Sequence, residues 1–158
     1  MRIAITGDTH GRIDGIRCHL QRLKPDYLIH TGDFYTDGKR LAKGLGISFT
    51  GVRGNCDPVV KGKAVEVLDL ADYRFCILHG HQHKVKHTLN HIYYHGLEIG
   101  AQVVVFGHTH IPSCELQEGI WLLNPGSPSL PRIGSQGSFI VLEAGNGVFK
   151  PEVMGLEI

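Results

Sequence analysis

Five short apolar runs in this chain each stop at a glycine that has aspartate, asparagine or histidine beside it. Residues 3–6 lead into Gly7-Asp8-Thr9-His10-Gly11, residues 27–30 into Thr31-Gly32-Asp33, and residues 47–50 into Gly51-Val52-Arg53-Gly54-Asn55-Cys56-Asp57. Residues 73–78 lead into His79-Gly80-His81, and residues 103–106 into Gly107-His108-Thr109-His110. Short apolar runs bounded by turn residues read as buried strands. Helical patterns lie between them. Ile13, Ile16, Leu20 and Leu23 form one stripe that Pro25 ends, residues 38–45 form a short helix before Gly46, and residues 88–99 carry Leu89, Ile92, Tyr93 and Ile99 on one face. Ala71-Asp72 divides residues 64–70 from 73–78 as a hairpin.

After residue 112 the helical period disappears, and residues 114–117, 120–123, 138–142 and 148–153 read as strands between Gly, Pro and Asn turns. Alternating βα units followed by a run of strands predict an α/β protein with two sheets. The length of 158 residues, with no linker or repeat, predicts one domain over 1–158. In open α/β sheets ligands bind outside the carboxyl ends of the strands, so five such clusters on neighbouring strands would meet on one rim.

Sixteen basic and 15 acidic side chains leave a net charge of +1, which argues against duplex DNA or an anionic membrane as partner and leaves a small phosphoester possible. The apolar run at residues 3–6 is too short for a signal-peptide core, and no stretch approaches a membrane span. Cys18, Cys56, Cys76 and Cys114 form no C-x-x-C pair and read as free thiols, which predicts a cytoplasmic protein.

The clustered side chains offer carboxylate, imidazole and amide donors without thiolate, a set that suits Mn²⁺, Fe, Ni²⁺, Co²⁺ or Zn²⁺. Asp8, His10, Asp33, Asn55, His79, His108 and His110 make seven donors. One metal cannot use seven and keep room for water, whereas two metals sharing a carboxylate can. Paired metals roughly 3.5–4 Å apart serve in-line displacement at phosphorus.

In these blocks, D-x-H, G-D, G-N, H and G-H-x-H in order over residues 7–110, the sequence resembles the calcineurin-like metallophosphoesterases. Asn124-Pro125-Gly126-Ser127 and Pro131-Arg132 are similar to the tail of their small bacterial and archaeal phosphodiesterase branch, which also contains the retromer subunit that kept the fold as a scaffold. The resemblance implies a four-layer αββα sandwich of two mixed sheets flanked by helices. It implies Asp8, His10 and His110 on a first metal, Asn55, His79 and His108 on a second, and Asp33 bridging them, with manganese the expected ion. The implied reaction is hydrolysis of a small phosphodiester by in-line attack of a metal-bridging hydroxide, with Asn55 polarising the phosphoryl oxygens. A phosphomonoesterase, a nuclease of the same fold and a non-catalytic scaffold are the alternatives, and the seven intact donor positions favour an enzyme. Where the wider family often has a histidine after the asparagine, this chain has Cys56, a poor acid for the leaving group.

His81, two residues from His79, is expected near the reacting atoms, and Arg53 and Arg132 are candidate phosphate contacts. Asn124 to Ser127 reads as a structural turn. His83, His87, His91 and His95, spaced by four, read as a solvated helix face with His83 ahead of the helix. Ile120, Trp121 and Leu122 are consecutive, so a strand there should turn at least one outward, which predicts a homo-oligomer with Trp121 near an interface.

Overall fold

The computed structural model describes residues 1–156 and carries two five-stranded sheets. The first has β1 (Arg2–Thr6), β2 (Tyr27–His30), β3 (Ser48–Gly51) and two later strands, β9 (Ser138–Gly145) and β10 (Val148–Gly155), in the order β10-β9-β1-β2-β3. The second has β4 (Val65–Leu70), β5 (Tyr73–Leu78), β6 (Val103–Val105), β7 (Ser113–Gln117) and β8 (Ile120–Asn124), in the order β4-β5-β6-β8-β7. Helices α1 (Asp14–Leu23) and α2 (Tyr35–Leu45) cover one outer face and α3 (Asn90–Glu98) the other.

The period of two along each strand builds these layers. Ile3 and Ile5 of β1 face the other sheet, whereas Ala4 faces α1 and α2. Phe75 and Ile77 of β5 join the layer between the sheets, whereas Cys76 and Leu78 pack toward α3. Strands covered on both faces need no polar side, which is why they read as unbroken apolar runs. The result is the four-layer αββα sandwich. The hairpin at Ala71-Asp72 places both residues at positive φ, 51° and 71°, as a tight two-residue connection requires.

The five strands that end in polar clusters fall into two parallel sets. β1, β2 and β3 are parallel neighbours, as are β5 and β6. Their carboxyl ends therefore share an edge in each sheet, and the stacking of the sheets brings the two edges together.

The outward-facing expectation for residues 120–122 fails. Ile120 and Leu122 are buried beneath α3, and Trp121 points the other way, into the layer between the sheets. There its ring stacks on Phe149 of the first sheet at 5.3 Å. Because β8 lies inside the second sheet and both its faces are covered, no residue is forced into solvent. The histidine series also divides: His83 and His87 lie in turns ahead of α3, and only His91 and His95 are helical. Among the described residues no helix is long and apolar enough to cross a membrane.

Trp121→Ala should therefore act on stability. Removing a large aromatic side chain from a core costs about 3–5 kcal/mol, and urea unfolding should show a loss at the lower end of that range, with the sedimentation coefficient unchanged. A change in sedimentation without loss of stability would restore the interface reading.

Candidate metal centre

The shared rim is built from loops in which ordinary residues adopt a conformation they normally avoid. Asp8, His10, Asp33, Phe34, His108 and His110 all have positive φ, between 47° and 70°. Such a conformation costs about 1–2 kcal/mol per residue outside glycine, so the surroundings must hold these side chains in place. Glycine lets the loops approach one another. A Cβ on Gly54 would overlap the Asp33 carboxylate, and one on Gly107 would sit 2.6 Å from both Asp8 Oδ2 and Thr31 Oγ1.

Asp8 is fully buried. Its Oδ2 accepts the His108 N–H at 3.0 Å, which joins the end of β1 to the loop after β6. Its Oδ1 is buried without a hydrogen bond, as is His10 Nε2. His110 Nε2 approaches Asp8 Oδ1 to 3.2 Å but without hydrogen-bond alignment. Asp33 lies between two groups: Oδ2 is 3.7 Å from His10 Nε2, and Oδ1 is 3.4 Å from His79 Nε2. Asn55 Oδ1, on the exposed side, is 3.0 Å from the same His79 nitrogen, and the His108 ring centroid is 5.1 Å from that of His79.

The imidazoles are oriented from behind. His79 Nδ1 lies 2.8 Å from the Thr31 carbonyl and His110 Nδ1 lies 2.6 Å from the Leu130 carbonyl. A carbonyl only accepts, so both Nδ1 atoms carry the proton and both Nε2 atoms face the centre. This is the second-contact arrangement of metal-binding histidines. Asp8, His10 and His110 offer ligand atoms within 4.8 Å of one another, as do Asp8, Asp33 and His79. His10, Asp33 and Cys56 form a third such group. Lone pairs from carboxylate, amide and imidazole thus converge with few protons between them, and Asp8 Oδ1 and His10 Nε2 have no hydrogen-bond partner among the described residues. These residues fit divalent cations.

The Asp8 and Asp33 charges dominate the field at this cluster. Burial depresses the His79 pKa, but the Asp33 and Asp8 carboxylates outweigh it and the net shift is upward. Burial raises the Asp33 pKa, but the His79 hydrogen bond and charge outweigh it and hold the carboxyl well below the usual carboxylate range. His108 is pushed down to about 4 by burial and then by His79 and Lys86. Burial, the Asp33 carboxylate and neighbouring acids push the Cys56 thiol up to about 11, so in the metal-free chain it is a protonated thiol and a poor ligand at neutral pH.

The remaining expected residues lie around this cluster. The His81 ring is 5.3 Å from that of His79 and 6.2 Å from that of His108, and its buried Nδ1 has no partner. Arg53 donates from Nη1 to the Gly62 carbonyl at 3.1 Å, and its charge reaches His81. Arg132 donates from Nε to the Thr109 carbonyl at 3.0 Å, and its charge reaches His110. The turn at Asn124 is structural and also supports the site: Asn124 Oδ1 accepts the Gly126 N–H at 2.9 Å, while Nδ2 donates to Thr109 Oγ1 at 2.9 Å.

Sequence reasoning missed the supports. Buried Asp37 accepts from Thr9 Oγ1 and from the Gly11 N–H, both at 2.8 Å. Asp57 accepts from the Gly54 N–H at 2.8 Å and the Tyr35 N–H at 2.9 Å. Ser127 and Ser129 donate to the Asp8 and Thr9 carbonyls, each at 2.7 Å. Only Asp57, two residues after Asn55, stood close enough in sequence to hint at such a role.

His30 is another missed support. Its Nδ1 accepts the Gly32 N–H at 3.2 Å, and Thr9 Oγ1, already donating to Asp37, can only accept from its Nε2. His30 is therefore neutral, its pKa lowered to about 4 by burial against the opposing pull of Asp8, Asp37 and Asp57. The unfolded chain takes up this proton near pH 6.5 and the folded chain only near 4, so stability is full above pH 6.5 and falls as the pH drops through that window. Between pH 7 and pH 5 the loss is about 2 kcal/mol. Other histidines titrate in the same window, so the difference isolates His30: by urea unfolding in chelator, His30→Gln should lose about 2 kcal/mol less than the parent chain between pH 7 and pH 5.

Comparison with known proteins bears on this geometry. The calcineurin-like phosphoesterase superfamily domain matches residues 1–147. The probable metallophosphoesterase YsnB of Bacillus subtilis is 33% identical over 148 residues, which cover 92% of this chain and 86% of that protein. The phosphodiesterase YfcE of Escherichia coli K12 is 27% identical over 165 residues, covering 90% and 88%. Among solved structures, a Streptococcus pneumoniae protein described as a predicted phosphoesterase superposes with a TM-score of 0.82 at 26% identity, covering 98% of this chain and 88% of that one. Zinc-complexed Vps29 of Entamoeba histolytica shares the fold, with a TM-score of 0.79 at 19% identity and coverage of 99% and 100%.

Proposed function

The chain belongs to the calcineurin-like phosphoesterase superfamily, and from that premise we propose that it is a hydrolase of phosphoester bonds, a dinuclear phosphodiesterase acting on small diesters. The observation that carries this reading is Asp33: its two oxygens face two different donor groups, His10 on one side and His79 on the other. In this reading Asp8, His10 and His110 would hold one divalent ion, Asn55, His79 and His108 would hold a second, and Asp33 would serve both. Manganese suits the mixed oxygen and nitrogen set. Bound divalent ions supply Lewis-acid polarisation of the phosphoryl oxygens and an acidified water.

The chain's own residues supply the rest. Asn55, at the mouth, is placed to donate its amide to a phosphoryl oxygen where charge accumulates. His81, its pKa lowered by burial and by His79, is neutral at pH 7 and serves as a hydrogen-bonding contact to substrate. Arg53 and Arg132 stand at the His81 and His110 sides, where guanidinium groups attract an anion. The name of the relative YfcE supports diesters over monoesters. The near-neutral net charge, +1, is unsuited to gripping a long nucleic acid, and four free thiols suit the cytoplasm. The likeness to Vps29 keeps the scaffold reading alive, and turnover decides between them.

Asp33→Asn tests the centre. The parent chain should bind two Mn²⁺ per molecule by elemental analysis after equilibrium dialysis. The variant should bind both more weakly and lose hydrolysis of bis(p-nitrophenyl) phosphate by more than the ~10–100-fold typical of outer-shell changes. One ion per chain that survives the substitution would reject the bridge, and full loading without turnover would favour the scaffold.

A second test concerns leaving-group protonation. A thiol with its pKa near 11 is a weak donor, so diester rates should depend steeply on the leaving group's own pKa. Cys56→Ala should leave them within a few-fold, because a working general acid contributes on the order of 10²–10⁴. A hundredfold loss with both metals bound would give Cys56 the role denied to it here.

A further inference from the structure

A cleft of ≈430 Å³ opens beside the metal centre, on the far side of the Gly107–His110 loop. Its floor is apolar: Val85 and Phe106 are buried, Leu89 is half-buried, and Ile111 is 54% exposed at the edge. Lys86 and Arg132 stand on its rim. The same loop is the wall of both sites, because Thr109, between His108 and His110, lines the cleft. Thr109 is also fixed by Arg132 through its carbonyl and by Asn124 through its hydroxyl. Clefts of this size with an apolar lining and a few polar groups are the usual form of small-molecule sites.

Resting on the phosphodiesterase reading, we infer that this cleft binds the non-leaving ester arm of the substrate and that this arm carries an aromatic ring. Thr109, between His108 and His110, lines the same cleft as Val85, Leu89 and Ile111, so an arm that passes over Thr109 enters it. The apolar floor rejects a charged or strongly hydrated arm. Two cations against the one carboxylate, Glu115, leave the rim positive, and cations attract the face of an aromatic ring as well as the diester's own charge. A methyl arm would fill almost none of the volume, whereas a ring covers the floor. Shape and field together therefore select aryl or nucleoside diesters over alkyl ones.

The test holds the leaving group constant. Three p-nitrophenyl diesters, with methyl, phenyl or thymidine-5′ as the second arm, are compared on the metal-loaded parent chain and on Ser113→Phe. Ser113 lines the cleft and belongs to none of the donor groups, so a new ring there occupies space in the cleft without removing a donor. The phenyl-to-methyl or thymidine-to-methyl ratio of kcat/KM should fall about tenfold in the variant, which corresponds to about 1.4 kcal/mol, with the methyl ester rate unchanged. The arm that loses more identifies the ring as plain aryl or nucleobase. Methyl-group NMR gives a readout free of turnover: diphenyl phosphate should shift Val85, Leu89 and Ile111 resonances, and dimethyl phosphate should not. If Ser113→Phe fails to fold, this measurement on the parent chain decides. Unchanged ratios in a folded variant, or diphenyl phosphate that leaves those methyls unmoved, overturn the subsite while hydrolysis of the methyl ester stands. Failure to hydrolyse any diester overturns the reading beneath it.

Discussion

The Asp8 carboxylate accepts a hydrogen bond from the His108 N–H across 100 residues of chain, and the rest of the rim is arranged around that contact. Asp8 also donates its own N–H to the Gly32 carbonyl at 2.8 Å and accepts from Ser127 through its carbonyl. One residue thus joins the loops after β1, β2, β6 and β8. With one carboxylate oxygen spent on the His108 amide, the other is left without a proton donor and is turned toward three imidazoles. A buried oxygen in that state is costly unless a cation satisfies it, and this cost ties the architecture to metal binding.

The strained backbone is distributed in the same way. Six positive-φ residues at the ends of β1, β2 and β6 hold their conformations because supports behind them are fully bonded: Asp37 beneath Thr9 and Gly11, Asp57 beneath Gly54, Asn124 beneath Thr109. Removing one support would let a loop relax toward ordinary backbone geometry, and a donor would move with it.

The strands, and the polar residues clustered at their ends, were legible in the sequence because they follow short-range rules. Apolar runs such as residues 73–78 end where glycine and histidine begin, and parallel neighbours place such ends together. The supports were not legible because their meaning is set by distance in space. Asp37 is an ordinary first-turn helix acid until Thr9 and Gly11 are seen to meet it, and His30 reads as one more strand residue until Gly32 and Thr9 fix its tautomer. Trp121 was misread for a related reason. Alternation along one strand cannot say that the neighbouring sheet also supplies an aromatic ring, Phe149, to cover it.

Donors contributed by both sheets have a thermodynamic consequence. A cation shared by Asp8 and His10 from the first sheet and His110 from the second would act as a strut between the layers. Its affinity and the packing of the layers then measure one shared free energy. Softening the interior at Phe75, Ile77 or Ile140, residues that touch no ligand, would loosen the grip on the ion, and a tightly held ion would hide such core damage from any assay run with metal present.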